Sequence, residues 1–500
     1  MDQEHAALRT MQWGHRSLDR MERHKQGVAL RRKTMRAHHA QWHAPRGRPD
    51  PVALLVGQGE SRIRDLLPVR YGRMMVSPFA FLRGAAVVMA SDLAHTPVAG
   101  PRVQACGDCH LANFGSYASP EGSPVFDIND FDETLPAPFE WDIKRLGTSL
   151  VLAGREGGLS ERKARDLAVS MARTYAREMK RLAMLSPLEV WGNPIDLSAA
   201  IATFSDRHVR RRAETLLRAR MESARCHYGL IDEEGATPSL REHAPLVMRL
   251  PAHEDTIRHA FARYVATQPA ELAVLLDRYA LHDVIFKVVG IGSVGTFCAI
   301  GLFATPDGET LLLQIKEAQQ SVLAPFAGAS VFHNQGQRVV VGQRIMQAET
   351  DIFLGCTHTR SGTDPATSDL SGAGRQFYIR RLKDARLAAV GADVTPEGLA
   401  DYAQLYGRTL ARAHARSGDS AFISGYLGKG NVFSDAIGCF STHYADQTEA
   451  DWTVFTKAIK AGKIPVSHDG GILHHPILPG PLHPPPRLPH PPCGPPFPLS

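Results

Sequence analysis

Apolar residues recur at helical spacing over residues 51–64 and again over 78–93, where the pattern of the chain first becomes regular. Two short β-type runs follow, 102–106 and Pro124–Ile128, each leading into a polar string. A helical period returns over 161–184 with Ser160 placed to cap it, and Ser205 precedes a helix rich in arginine (Arg210, Arg211, Arg212, Arg218, Arg220). Near Leu281 the texture changes to strands, 282–289 and 296–303, separated by the glycine-rich stretch 290–295. The turn Thr305-Pro306-Asp307-Gly308 leads to a third strand, 310–315. A helix is expected over 330–347, strand-like pieces near Ile352 and Phe377, and a Ser/Thr/Gly-rich loop over 357–374. Thr395-Pro396-Glu397 opens a last helix that Gly418 closes. The pattern predicts an α+β chain: a mainly helical part over 51–280, a small β part over 281–382 and helices over 383–465.

Composition alters this only at the ends. Residues 1–50 carry His24-Lys25, Arg31-Arg32-Lys33 and Arg46, much of a net charge of +6, and read as a solvated basic extension. The excess is modest, so nucleic acid is not the expected partner. Residues 466–500 are dominated by Pro, His and Gly and cannot build a core. The first fifty residues lack an apolar signal core, and no stretch is long and uncharged enough to span a bilayer. Seven scattered cysteines suit reduced thiols. A cytoplasmic protein with no membrane partner is the expectation.

Two constellations carry candidate chemistry. The first is the string from Cys106-Gly107-Asp108 through Asn113, followed by Asp127-Ile128-Asn129-Asp130-Phe131-Asp132. Phosphoryl transfer needs a carboxylate to orient a hydroxyl, plus an amide oxygen and a second carboxylate to hold Mg²⁺. Asp108 fits the base and Asn113 one metal ligand. Asp130 and Asp127 compete for the other, since spacing alone does not choose. A plain polar turn that caps its own backbone uses the same residue types. Cys106-x-x-Cys109-His110 also fits a c-type haem attachment, which needs an oxidising compartment.

The second constellation is Gly290-Ile291-Gly292-Ser293-Val294-Gly295. A dinucleotide fold demands a helix next, whereas here a strand follows. Strand, glycine loop, strand, then a strand ending in Lys316 is the order of a kinase lid, with Gly290, Gly292, Ser293, Gly295 and Lys316 on nucleotide phosphates. An ordinary glycine hairpin with a surface lysine is the bland reading.

Gly107-Asp108-x-His110-x-x-Asn113 with Asp130-Phe131-Asp132 resembles the catalytic and metal loops of aminoglycoside and choline kinase relatives. Over about residues 51–464 the chain is similar to a bacterial family called domain of unknown function 2252. The similarity is carried by Arg70-Tyr71-Gly72-Arg73-Met74, Ser77-Pro78-Phe79, the Gly107 string, Pro138–Leu146 and Ala413-His414-Ala415-Arg416. The kinase resemblance implies a two-lobed kinase-like fold, circularly permuted because the glycine loop and Lys316 follow the catalytic loop, with extra helices. It implies ATP and Mg²⁺ as cofactors, an unknown hydroxyl acceptor, and a phosphotransferase. A non-catalytic pseudokinase and an AMP-transferring enzyme are the alternatives. The helix over 330–346 offers Gln337 and Gln343 but no glutamate to pair with Lys316. Arg83 and Lys144 could neutralise phosphate, and Asp142 could brace the catalytic loop.

Overall fold

The structure is a computed structural model that describes residues 18–467 apart from 224–229, 233–237, 245, 289, 360–373 and 383–394. It is an α+β chain built on two main hydrophobic cores. Helix α1 (Arg20–Ala29) starts at Asp19, whose side chain accepts the Glu22 N–H. Four helices follow: α2 (Pro51–Gly59), α3 (Leu67–Met75), α4 (Pro78–Gly84) and α5 (Ala86–Leu93). The single helix expected over 78–93 is broken at Ala85 (φ −112°, ψ 35°). There the Gly84 carbonyl is taken by the Arg70 guanidinium at 2.9 Å and leaves the helical ladder.

Strands β1 (Arg102–Ala105) and β4 (Leu135–Pro138) pair antiparallel, as do β2 (Phe114–Ala118) and β3 (Pro124–Ile128). The loops between them hold the acidic strings. Helices α6 (Phe139–Glu156) and α7 (Glu161–Leu182) pack together, and Ser160 caps the second as expected. The arginine-rich helix α8 (Arg207–Ser223) is capped by Asp206 rather than Ser205 and turns Arg211, Arg212 and Arg218 to solvent.

A six-stranded antiparallel sheet forms the second part. Its strands are β5 (Val247–Met248), β6 (Ala280–Lys287), β7 (Cys298–Ala304), β8 (Thr310–Glu317), β9 (Gly355–His358) and β10 (Gln376–Arg381), in the order β9-β10-β8-β7-β6-β5. Period-two alternation divides its faces. Leu313, Ile315, Phe377 and Ile379 join Phe261 and Tyr264 of helix α9 (Pro251–Ala266), with α10 (Ala270–Leu276) beside it. This part therefore begins near residue 247, not 281, because α9 is its covering helix. On the other face Gln314, Lys316, Tyr378 and Arg380 look toward the acidic loops. Helix α11 (Gln335–Met346) lies between β8 and β9 in the chain and packs on β10 and on α12 (Leu399–Ser417). Helices α13 (Ser420–Leu427) and α14 (Asn431–Lys460) complete the helical core.

The basic N-terminal segment departs from the solvated extension expected for it. His39 and Trp42 are buried, and α1 packs on α13. Three of its arginines are occupied: Arg31 and Arg36 donate to the carbonyls of Tyr426 and Leu427 that end α13, and Arg48 pairs with Asp92 (2.8 Å) and Asp451 (2.6 Å), while Arg32 and Arg46 stay exposed. Residues 1–17, most of the Ser/Thr/Gly-rich loop and the Pro/His-rich tail from 468 lie outside the described residues. No helix among the described residues is long and apolar enough to cross a membrane.

The α1–α13 contact depends on Gly27, where an added Cβ collides with the Phe422 carbonyl. Gly27→Ala should cost about 1–3 kcal/mol in thermal unfolding and expose the 20–33 segment to trypsin. Unchanged cleavage kinetics would show that α1 is not docked there.

Candidate functional site

Helix α6 sets the first loop in place. Asp142, Arg145 and Ser149 recur at spacings of three and four and so share one face. Asp142 accepts the N–H groups of Cys106 (2.6 Å) and Gly107 (3.0 Å), and Ser149 accepts that of Leu111 (3.1 Å). The bracing role expected for Asp142 is thus its observed geometry. His414 of α12 approaches Asp142 through Nε2 (3.1 Å), and its Nδ1 meets the Tyr175 hydroxyl (2.9 Å).

So fixed, Asp108 turns Oδ1 to the buried Arg145 guanidinium, which holds it through Nε (2.8 Å) and Nη2. Oδ2 lies 3.7 Å from His110 Nε2. Burial, with Arg83 and Arg145 adding to it, pushes the imidazole well below its ordinary pKa and keeps it neutral. Burial also pushes the Asp108 carboxyl up, and Arg145 offsets this only in part. Asn113 donates its amide N–H to the Asp108 carbonyl at 2.7 Å, which leaves the side-chain oxygen free to face the cavity.

Asp127 and Asp130 part company. Asp130 lines an 80 Å³ cavity together with Asp108 and Asn113. Asp127 sits in β3 opposite Gly115, accepts the Ile128 N–H and is not part of that wall. Strand alternation explains the difference, because Asp127 lies inside the pleat while Asp130 lies beyond its end.

Lys316 meets neither glutamine on α11. Its ammonium lies 2.8 Å from Asp132 and 3.8 Å from Asp130. Asp132 also accepts from the Tyr378 hydroxyl (2.6 Å) and the Ser293 hydroxyl (3.2 Å). Burial alone would lower Lys316; Asp130 and Asp132 instead hold it well above its ordinary value, so it stays charged. Arg338 of α11 donates to the carbonyls of Asp132, Thr134 and Gln319 (2.7–2.8 Å).

The glycine turn closes the cavity. Gly290 and Gly295 have φ of +67° and +88°, which a side chain would strain. A Cβ on Gly292 would sit 3.2 Å from the Arg83 carbonyl and 3.7 Å from Asp108 Oδ2, so the turn lies against the acidic loop. It is tied to the N-terminal helices: Arg62 donates to the Val294 carbonyl (2.6 Å), Arg73 to that of Gly290, and the Ile63 N–H to that of Gly295 (2.8 Å). Gly290, Gly292 and Ser293 line the cavity, whereas Gly295 packs on the Arg62 side chain. Arg62, Arg70 and Arg83 complete the wall. Lys144 lies elsewhere, buried and bonded to Thr96 (2.8 Å), so packing is its role. Cys106 and Cys109 are free and buried beneath the loop.

Asp132, Arg145, Arg62 and Arg70 carried no assigned role in the sequence reading. The helical spacing of Asp142, Arg145 and Ser149 could have revealed Arg145. No local pattern distinguishes Arg62 and Arg70 from surface arginines.

Fold and cavity define an α+β protein whose parts meet at an enclosed acidic loop, glycine turn and arginine cluster. The chain belongs to the bacterial family described as an uncharacterized protein conserved in bacteria, domain of unknown function 2252, which it matches over residues 62–458. No curated protein and no solved structure matches it.

Glu133 also faces the cavity, and burial pushes its carboxyl up to about 7. A folded-state value above the unfolded one favours the protonated form. The stability it contributes is present below about pH 4.5 and is lost as pH rises through about 7. Glu133→Gln should therefore melt near wild type at about pH 5 and progressively above it toward about pH 8. A difference that does not change with pH would remove Glu133 as the cause.

Removal of the brace is the second test. Asp142→Ala leaves two buried loop amides without an acceptor and should cost about 2–6 kcal/mol by denaturant unfolding. A loss under about 1 kcal/mol would mean that the loop does not depend on Asp142.

Proposed function

We propose that the chain is a kinase-like phosphotransferase that moves the terminal phosphoryl group of magnesium-bound ATP to a hydroxyl acceptor. One observation carries the reading: Asp108, Asn113 and Asp130 share a cavity with a glycine turn that begins about 160 residues later in the chain. The sheet adds support. Three consecutive antiparallel strands, β6-β7-β8, place the glycine turn after the first and Lys316 on the third, and a helix and two further strands follow. A kinase small lobe has the same glycine loop, strand lysine and helix. Here it follows the acidic loops in sequence, as a circular permutation requires. The C-terminal end of the described residues returns to the N-terminal helices, with Ser467 bonded to Pro68 of α3.

Asp132 takes the place of the absent helix glutamate as the partner of Lys316. The donor set suits magnesium: Asp130 and Asn113 offer hard oxygens. Among the described residues no group of three or more His, Cys, Asp or Glu side chains could hold a metal alone. Such a pair fits an ion that completes its shell with phosphate and water. Bound there, magnesium would neutralise charge on the transferred group. Asp108 orients the acceptor hydroxyl and takes its proton as the new O–P bond forms. The bond from the terminal phosphorus to the bridging oxygen breaks, and ADP leaves. A carboxyl raised by burial is the stronger base for that step.

The 80 Å³ cavity is far below the several hundred that a nucleotide fills, so binding requires the glycine turn to lift. The lack of a glutamate on α11 favours a second reading, a nucleotide-binding regulator that transfers nothing.

Thermal unfolding with ATP and Mg²⁺ should show a metal-dependent rise that Asp130→Ala loses. Asp108→Asn should keep the rise and lose about 100-fold or more of ADP formation. A rise without ADP from wild type would select the regulator, and pyrophosphate in its place would select nucleotidyl transfer. No rise in a folded protein would end the kinase reading.

A further inference from the structure

Several buried arginines of this fold are well matched, although single nitrogens of Arg23, Arg73, Arg375 and Arg416 lack an acceptor. Arg145 is held by Asp108, Arg48 by Asp92 and Asp451, Arg375 by Glu317, and Arg338 by three carbonyls. Three that are less well matched stand together on the cavity wall. Arg70 is fully buried and Arg62 is 8 % exposed, yet Nε of Arg62, Nε and Nη1 of Arg70, and Nε of Arg83 are buried without an acceptor. None of the three is ion-paired with a carboxylate among the described residues; Glu133 and Asp108 act on them only from farther off. Burial accordingly pushes all three guanidinium groups below their ordinary pKa. Among the described residues Arg62 keeps only the Val294 carbonyl, and Arg70 only the Gln58 and Gly84 oxygens. Buried charge without a counter-charge is costly, and three such groups on one cavity call for an anion.

We infer that Arg62, Arg70 and Arg83 form a receptor for a phosphate group carried by the acceptor. The substrate class is then a small phosphorylated compound with a free hydroxyl. This rests on the phosphotransferase reading above. The planar guanidinium fork matches a tetrahedral oxyanion with paired N–H donors. An 80 Å³ space holds a group of that size and a few waters. The arginines share one cavity with the glycine turn, which Arg62 and Arg83 touch, so competition rather than placement tells this anion from the nucleotide. The arginines come from α3, α4 and the turn before them, whereas Lys316 and Asp130 hang from the sheet and the acidic loop. Arg83 is close enough to Asp108 to feel its charge, which puts a phosphate there beside the carboxylate that orients the hydroxyl. Transfer stays balanced: the acceptor gains the terminal phosphoryl group, its hydroxyl proton passes to Asp108, and ADP leaves.

The probe is inorganic phosphate, titrated at constant ionic strength without nucleotide or magnesium, with thermal unfolding as the readout. Wild type should be stabilised, Asp130→Ala equally so, and Arg83→Gln should bind phosphate at least about tenfold more weakly. Arg83 is the variant of choice because it is the least buried of the three. Its fold is checked by circular dichroism and by its retained response to Mg²⁺ and ATP. Wild type that ignores phosphate, or Arg83→Gln that binds it unchanged, overturns the receptor. Competition between phosphate and Mg²⁺-ATP, or loss of both responses in folded Arg83→Gln, assigns the arginines to the nucleotide and overturns the acceptor role. Phosphate binding with no ATP response sinks the kinase reading and the acceptor assignment with it, and leaves a bare anion site.

Discussion

The carboxylate of Asp132 joins the two parts of this protein. It accepts from Lys316 on β8, Tyr378 on β10 and Ser293 in the glycine turn, and the Asp132 carbonyl accepts from Arg338 on α11. Four elements of the sheet side therefore converge on one residue of the β3–β4 loop. A buried ion pair of this kind adds little net stability, but removal of one partner costs about 3–5 kcal/mol, because the other is left charged in a poor solvent. Its effect is specificity of arrangement. Asp132 lines the cavity while bound to the sheet, and Asp130 two residues earlier faces the same cavity beside Asp108.

Helix α6 provides the complementary constraint. One face carries Asp142, Arg145 and Ser149, which fix the loop backbone, the Asp108 carboxylate and the turn after it. The site is thus gripped from below by a rigid helix and from above by the sheet. His414 and Tyr175 extend the network into the helical core, so the loop is continuous with α7 and α12.

Much of this was legible in the chain. The strand at Pro124–Ile128, most of the strand at Thr310–Glu317 (expected over 310–315), the Ser160 cap and the stop at Gly418 follow from period and capping chemistry alone. The choice of Asp130 over Asp127 was not, since it depends on where β3 ends. The partner of Lys316 was also hidden: the ion pair spans 184 residues, and no local rule announces it. The N-terminal arginines misled for a different reason. Charge suggests solvent, but Arg31 and Arg36 are spent on helix-end carbonyls and Arg48 on two carboxylates. The break at Ala85 arises from a side chain fourteen residues earlier that takes the Gly84 carbonyl.

The anchoring of the glycine turn has a kinetic consequence. Arg62, Ile63 and Arg73 bind it to the N-terminal helices, so it cannot swing as a free flap. A ligand too large for the 80 Å³ cavity would have to wait for those contacts to break together. The association rate of such a ligand would then reach a ceiling at high concentration, set by a first-order opening event rather than by diffusion.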